Sequence, residues 1–219
     1  MPQLIAMVIV VVGAMIYMFQ TFGGTGDKIE GIAQKTSVVT EINNIKNGLK
    51  LAAKSENIGI GDSENTTNVL VGLANLAYFP EQVNSQITNE GGDARATTYN
   101  EYHAISFGGN ASDVGGMKVQ LVAIEDGIVP GIYVEFAGSL ATNGAFLETQ
   151  IATDLKDIAY IDRAATAVPT TLTARTGTTT TALDKRLPTE TTATSAQLND
   201  GKFIIYFNDF GSDEVVVVD

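Results

Sequence analysis

The chain has 219 residues, of which 44% are apolar and 17% charged, a composition typical of a folded protein and not of a disordered one. It contains no cysteine, which excludes disulfide bonds and cysteine nucleophiles. The net charge of −12 is uneven, because residues 1–60 carry +1 and the remainder carries −13. Such an acidic region repels phosphate groups, so we expect it not to bind nucleic acid.

The first 26 residues carry no charged side chain, and residues 4–22 are almost wholly apolar. Since about 20 apolar residues cross the core of a bilayer as a helix, this segment predicts a helix that enters a membrane or packs laterally against other helices. Its packing surface would consist of the apolar residues Leu4, Ile5, Val8, Ile9, Val11, Val12, Ile16 and Phe19. Neither the basic start nor the small-residue cleavage site of a secretory signal is present, so we expect this helix to be retained.

Gly23, Gly24 and Gly26 follow the apolar run and favour a hinge or an unwound stretch. From Asp27 onward, apolar residues recur at intervals of three and four, the pattern of one helical face. These residues are Ile29, Ile32, Val38, Val39, Ile42, Ile45, Leu49 and Ala52. The pattern predicts an amphipathic helix within residues 27–56 that ends near Lys54.

Residues 57–219 predict an acidic head with both helices and strands, which places the chain in the α+β class. Helical spacing predicts helices at about Thr66–Tyr78 and Ala145–Arg163, the first ending before Pro80. Four β-prone runs predict strands, the first two joined by a turn at Glu125–Gly131. They are Lys118–Ile124, Ile132–Phe136, Lys202–Phe207 and Val215–Val218.

Threonine and alanine dominate residues 166–197, with four consecutive threonines at Thr178–Thr181. Few of these side chains can fill a core, so we expect an exposed loop or an irregular β-ribbon. A solvated loop accounts for the composition, and so would a segment that carries O-linked sugars.

Chemistry-bearing motifs are few. His103 is the only histidine, which excludes a paired-histidine metal site, and we expect it to be a surface or packing residue. The acidic run Asp209–Glu214 lacks the spacing of a known calcium loop. The sequence holds no nucleophile elbow, phosphate-binding loop or dinucleotide fingerprint. We therefore predict no catalytic, cofactor-binding or metal site, and a protein that is not an enzyme.

Residues 1–55 resemble the N-terminal part of type IV pilins. The most telling stretch is Thr36–Lys54, TSVVTEINNIKNGLKLAAK, which resembles the region where the pilin helix meets its sheet. The resemblance implies a long N-terminal helix, melted near Gly23–Gly26, whose second half packs on an antiparallel β-sheet head. It also implies that Met1 is a processed N-terminus, left after removal of a basic leader. Two positions depart from the family: Ile5 stands where a glutamate is usual, and Pro2 is not a family hallmark.

The function that this resemblance implies is that of a structural subunit of an extracellular pilus-like filament. Its partners would be identical copies in a helical filament and an inner-membrane assembly machinery. The chain would lie in the inner membrane before assembly and on the cell surface afterwards. Alternatives are a pseudopilin of a secretion or DNA-uptake machine, an archaeal pilin-like or phage-coat-like subunit, and a singly anchored extracytoplasmic binding domain.

Overall fold

Residues 30–54 form one helix, α1, in a computed structural model that describes residues 30–60, 69–90, 99–110, 113–176 and 184–218. The three-and-four spacing turns one face of α1 inward, and each large apolar side chain buried there contributes about 1.5–3 kcal/mol. That face consists of Val38, Ile42, Ile45, Leu49, Ala52 and Ala53, all at most 1% exposed. The predicted packing surface of residues 4–19, the glycine hinge and Met1 lie outside the described residues.

The head is built on a five-stranded antiparallel sheet with the strand order β2-β3-β4-β6-β5. Its strands are β2 (Tyr102–His103), β3 (Met117–Val122), β4 (Gly131–Phe136), β5 (Ala159–Asp162) and β6 (Lys202–Phe207). The mixed helix-and-sheet architecture agrees with the α+β prediction. A separate two-stranded parallel pair joins β1 (Gly59–Ile60) to β7 (Val217–Val218).

One face of the sheet packs against α1. The register places Tyr102, Val119, Val134 and Phe203 on the same face, and Phe207 follows four residues after Phe203. The hydroxyl of Tyr102 donates to Glu41 of α1, and the Lys46 ammonium lies 4.3 Å from the centroid of the Phe207 ring. Helix α1 therefore crosses the sheet from β2 to β6.

The second face of the sheet carries three tyrosines, and the threonine-rich segment lies against two of them. The Tyr133 hydroxyl donates to the Thr166 carbonyl at 3.0 Å, and the Thr191 backbone N–H donates to the Tyr160 hydroxyl at 3.0 Å. Between these points, backbone hydrogen bonds join residues 173–175 to residues 187–189. Of the predicted loop 166–197, the described part is thus an irregular ribbon over the sheet.

Three further helices complete the described fold: α2 (Leu70–Asn75), α3 (Glu81–Glu90) and α4 (Gly144–Leu155). Short 3₁₀ turns lie at Ile105–Phe107, Gly138–Asn143, Asp184–Arg186 and Gln197–Asn199. The first helix of the head ends at Asn75, short of the predicted Tyr78, because a turn follows in which the Ala77 N–H donates to the Ala74 carbonyl. Its predicted start, Thr66, lies outside the described residues.

The predicted helix Ala145–Arg163 is wrong in its second half. The helix ends at Leu155, and Ala159–Asp162 form strand β5. Pairing with β6 decides this, because Ile161 lies opposite Ile205 and packs against the core, while Ile158, which would lie on the buried face of a continued helix, is 47% exposed. Two other strand predictions were too long: β3 ends at Val122, and β7 spans only Val217–Val218.

We predict that Gly48→Ala destabilises the fold, although alanine favours helices by about 1 kcal/mol over glycine. A Cβ at Gly48 would lie 2.8 Å from the Tyr78 carbonyl oxygen and would also meet the Phe79 ring. Because the backbone carbonyl cannot swing aside, overpacking of about 1–3 kcal/mol outweighs the propensity gain. Urea unfolding measures the change, with the exposed Asn47→Ala as the matched control. A Gly48→Ala chain more stable than the parent would contradict this packing.

Candidate assembly interface

Three of the four lysines of α1 contact acidic residues of the head, and the fourth, Lys54, is exposed at the end of the helix. Lys35 pairs with Asp154 of α4, and Lys46 pairs with Asp209 in the loop after β6, both with nitrogen–oxygen distances of 2.7 Å. These contacts span 119 and 163 residues of sequence. The basic helix and the acidic head predicted from the charge distribution are thus partners within one chain.

Lys50 extends this contact toward the end of the chain. Its ammonium donates to the Asp209 backbone carbonyl at 2.5 Å and lies 3.6 Å from the carboxylates of both Asp209 and Glu214. A carboxylate oxygen of Glu214 also accepts from the Gly211 N–H at 2.6 Å. Two of the three carboxylates in the run Asp209–Glu214, those of Asp209 and Glu214, are therefore engaged by lysines, and that of Glu214 also by the loop backbone.

Aromatic rings support the same two lysines. The Lys46 ammonium lies 4.3 Å from the centroid of Phe207, and that of Lys50 lies 5.7 Å from the centroid of Phe210. Both distances are within the range of cation–π attraction. The loop that follows β6 is held to α1 by charge and ring contacts together.

Glu41, the one acidic residue in the middle of α1, is also turned inward. It is 4% exposed and accepts hydrogen bonds from the Tyr102 hydroxyl and from Ser106 Oγ, the latter at 2.9 Å. Buried carboxylates require such donors, because an unsatisfied one costs several kcal/mol. Glu41 therefore fixes the position of α1 over β2 and the following turn.

With these charges directed at the head, the outer face of α1 is left uncharged. Every exposed residue of the helix from 33 to 51 is small, hydroxyl-bearing, amide-bearing or aliphatic. These residues are Ala33, Thr36, Ser37, Thr40, Asn43, Asn47 and Leu51. We call this set the outer stripe. An exposed helix face in a protein of net charge −12 would ordinarily carry charges.

Three hydroxyls of the outer stripe are already satisfied within the helix. Thr36, Ser37 and Thr40 donate to the carbonyls of Ile32, Ala33 and Thr36, at 3.1, 3.3 and 2.8 Å. Such back-bonding leaves methyl and methylene groups facing outward. Burying this surface in an interface would therefore cost less free energy than burying hydroxyls that are hydrogen-bonded to water.

The remaining candidate residues lie elsewhere. His103 is buried in β2, with Nδ1 2.9 Å from the Asn110 carbonyl oxygen and Nε2 3.5 Å from Glu101, so it is a packing residue. Within the described ranges, no helix has both the length and the apolar character needed to cross a bilayer. The sequence alone does not reveal the outer stripe, because this face is left uncharged only where Lys35, Lys46 and Lys50 reach carboxylates that are distant along the chain.

We predict that Asp209→Asn weakens the fold at pH 7 by about 0.5–1 kcal/mol, the value of a half-exposed ion pair, and by less in acid. Burial alone would raise the pKa of Asp209, but the hydrogen bond from Lys46 and the charges of Lys46 and Lys50 outweigh it and hold the pKa below its ordinary value. Because the pKa of Asp209 is lower in the folded state, the ion pair contributes its full stability at a pH above the pKa of the unfolded chain, about 3.9. This contribution is lost as the pH falls through the pKa of the folded state.

Urea unfolding at pH 7 and pH 3 measures the difference between the parent chain and Asp209→Asn. The exposed Asp213 of the same loop gives the matched control, Asp213→Asn. A stability difference for Asp209→Asn that is as large at pH 3 as at pH 7 would show that the ion pair does not hold the loop.

Comparison with known proteins finds no relative for this chain: no protein-family model, no curated protein and no solved structure matches it. Analogy with a matched protein therefore supplies no function. The function has to be argued from the chain's own residues.

Proposed function

We propose that this chain is a structural subunit of an extracellular filament of the type IV pilus kind. In this proposal the apolar segment of residues 1–26 and the outer stripe of α1 together form the assembly surface. The observation that carries the proposal is the uncharged outer stripe on a helix that follows, within a few residues, an uncharged segment of 26 residues. The acidic head would face the solvent on the outside of the filament.

The chemistry of the outer stripe suits contact between helices. Small and back-bonded side chains let helices approach closely, as in membrane helix pairs where packing replaces the hydrophobic effect as the driving force. No lysine or glutamate would have to be desolvated along residues 33–51 of this face. The acidic surface of the head, in contrast, would disfavour close contact between heads.

The contacts between α1 and its own head also support the proposal. Lys35, Lys46 and Lys50 bind head carboxylates, and Glu41 is buried against Tyr102. These bonds would keep the head attached to its own helix while the outer stripe packs against other copies. A long helix laid across an antiparallel sheet is also the arrangement that the resemblance to type IV pilins leads one to expect.

Assembly would begin from a chain that the apolar segment holds in the inner membrane. Moving this segment from lipid into a filament core releases far less free energy than moving it there from water, because lipid and filament core are both apolar. Close packing along Val8, Val11 and Val12, and along the outer stripe, would then decide whether the filament forms. A dedicated inner-membrane machinery would extract the subunits.

We predict that Val11→Lys abolishes filaments and leaves the head folded. A lysine at the centre of a membrane helix costs about 2.5–3.5 kcal/mol, and an unpaired charge in a filament core is also unfavourable. Electron microscopy of material sheared from cells measures filament yield, and circular dichroism checks the fold. The exposed head residue Thr192 supplies the matched control, Thr192→Lys, which should assemble normally. Normal filaments from Val11→Lys would refute the role of the apolar segment.

We predict that Thr40→Glu also prevents assembly, by burying a charge within the outer stripe. Thr40 is exposed and outside the described core, so the variant should unfold at the same urea concentration as the parent chain. Thr192→Glu adds the same charge to the head surface and should leave filament yield unchanged. If Thr40→Glu assembles as well as Thr192→Glu, the outer stripe does not take part in assembly.

A further inference from the structure

The N-terminal ends of α1 and α4 lie side by side in the described structure. A Cβ added to Gly31 would come within 2.9 Å of the Phe146 ring, so that ring rests directly on the backbone of α1. Next to it, Asn143 Nδ2 donates to Gln34 Oε1 at 2.8 Å. The two helices thus meet at the end of the head from which the chain continues toward residues 1–26.

Apolar side chains are exposed at this meeting point. Ile32 is 56% exposed and Phe146 is 40% exposed, although sequence spacing predicted that Ile32 would be buried. The neighbouring residues Ala141, Thr142 and Ala145 are exposed as well and are uncharged. We call these five residues the base surface.

The base surface is unusual in its lack of charge. Residues 136–147 contain no acidic or basic side chain, in a region that carries −13 overall. The next acidic residue, Glu148, is fully buried and bound by Arg163 at 2.6 Å and by the Gly201 N–H at 2.9 Å. Asp154 farther along α4 is neutralised by Lys35.

We propose that the base surface rests in the interfacial region of the bilayer while the subunit awaits assembly. This inference rests on the proposed function, because it requires that residues 1–26 are inserted in that bilayer. Ile32 follows residue 26 by six positions, which span at most about 20 Å even when fully extended. Ile32 and Phe146 therefore lie within reach of the headgroup layer, about 5–8 Å thick on each side of the hydrocarbon core.

Charge and side-chain type both fit a lipid surface. An acidic head is repelled by anionic lipid. The base surface itself carries no carboxylate, and the exposed Glu30, which accepts a hydrogen bond from Gln34 at 3.0 Å, is the acidic residue of α1 beside it. Protein surfaces that contact the membrane–water interface typically combine aromatic and aliphatic side chains with neutral polar ones. The base surface would hold the head upright against the bilayer, with the outer stripe accessible to the next copy.

The test uses tryptophan fluorescence, because the chain contains no tryptophan. The full chain carrying Phe146→Trp is reconstituted into phosphatidylcholine vesicles, with or without bromine on the upper acyl carbons. We expect a blue-shifted emission and a loss of intensity with the brominated lipid. Ile32→Trp, the second reporter, guards against a fold change at Phe146 and should behave in the same way.

Two further variants make the outcome decisive. Leu76→Trp, at a side chain that is 53% exposed on another part of the head, should be neither shifted nor quenched. Phe19→Trp reports whether the apolar segment is inserted, through quenching by bromine deeper in the acyl chains. Quenching at Phe19 with none at positions 32 and 146 would overturn this inference and leave the filament proposal standing. No quenching at Phe19 would overturn both.

A last outcome identifies a different occupant. If emission from Phe146→Trp is blue-shifted but insensitive to brominated lipid, and if the shift grows with the protein-to-lipid ratio, a second copy covers the base surface. That result would overturn the assignment to lipid.

Discussion

The burial of one face of α1 against the sheet determines which face of this helix stays exposed, and the proposed function depends on that exposed face. Val38, Ile42, Ile45 and Leu49 are at most 1% exposed, so the rotation of the helix about its axis is fixed. With that rotation fixed, Lys35, Lys46 and Lys50 reach head carboxylates from the flanks of the buried face. Between residues 33 and 51, the part of α1 that remains outside is the outer stripe, which is uncharged because Lys35, Lys46, Lys50 and Glu41 all contact the head. The lysines of the N-terminal part and the carboxylates of the acidic head thus form ion pairs within one folded chain.

The elements that the sequence predicted well have a strong local pattern, either an apolar stripe at helical spacing, as in α1, or a continuous apolar run that is buried on both faces, as in β6. Helix α1 buries one stripe, and β6 matches its predicted bounds, Lys202–Phe207. The errors arose where tertiary pairing overrides local pattern, as at Ala159–Asp162, whose spacing continues that of α4 but whose backbone pairs with β6. Helix α3 was missed because Pro80 was interpreted only as a stop. The Pro80 carbonyl instead accepts the first bond of that helix, from the Asn84 N–H at 2.9 Å.

The candidate interface was only half predictable. The uncharged segment before residue 27 can be recognised in the sequence from its residue types alone. The outer stripe is not, because Thr36, Thr40 and Asn47 are, taken one by one, residue types that are common on solvated helix faces. They form an uncharged face only because Lys46 and Lys50 contact Asp209, which lies more than 150 residues away along the chain. Likewise Ile32 fits the apolar stripe by spacing, yet the ring of Phe146 lies on Gly31 and leaves Ile32 exposed.

The central claim is that copies of this chain pack through residues 1–26 and the outer stripe. Cryo-electron microscopy of surface material sheared from cells tests it most directly, because it shows the contacts between subunits. The account predicts a helical filament in which the apolar segments form the core and Thr36, Thr40 and Asn47 face neighbouring copies. Filaments joined through their acidic heads, with this face of α1 open to solvent, would contradict it.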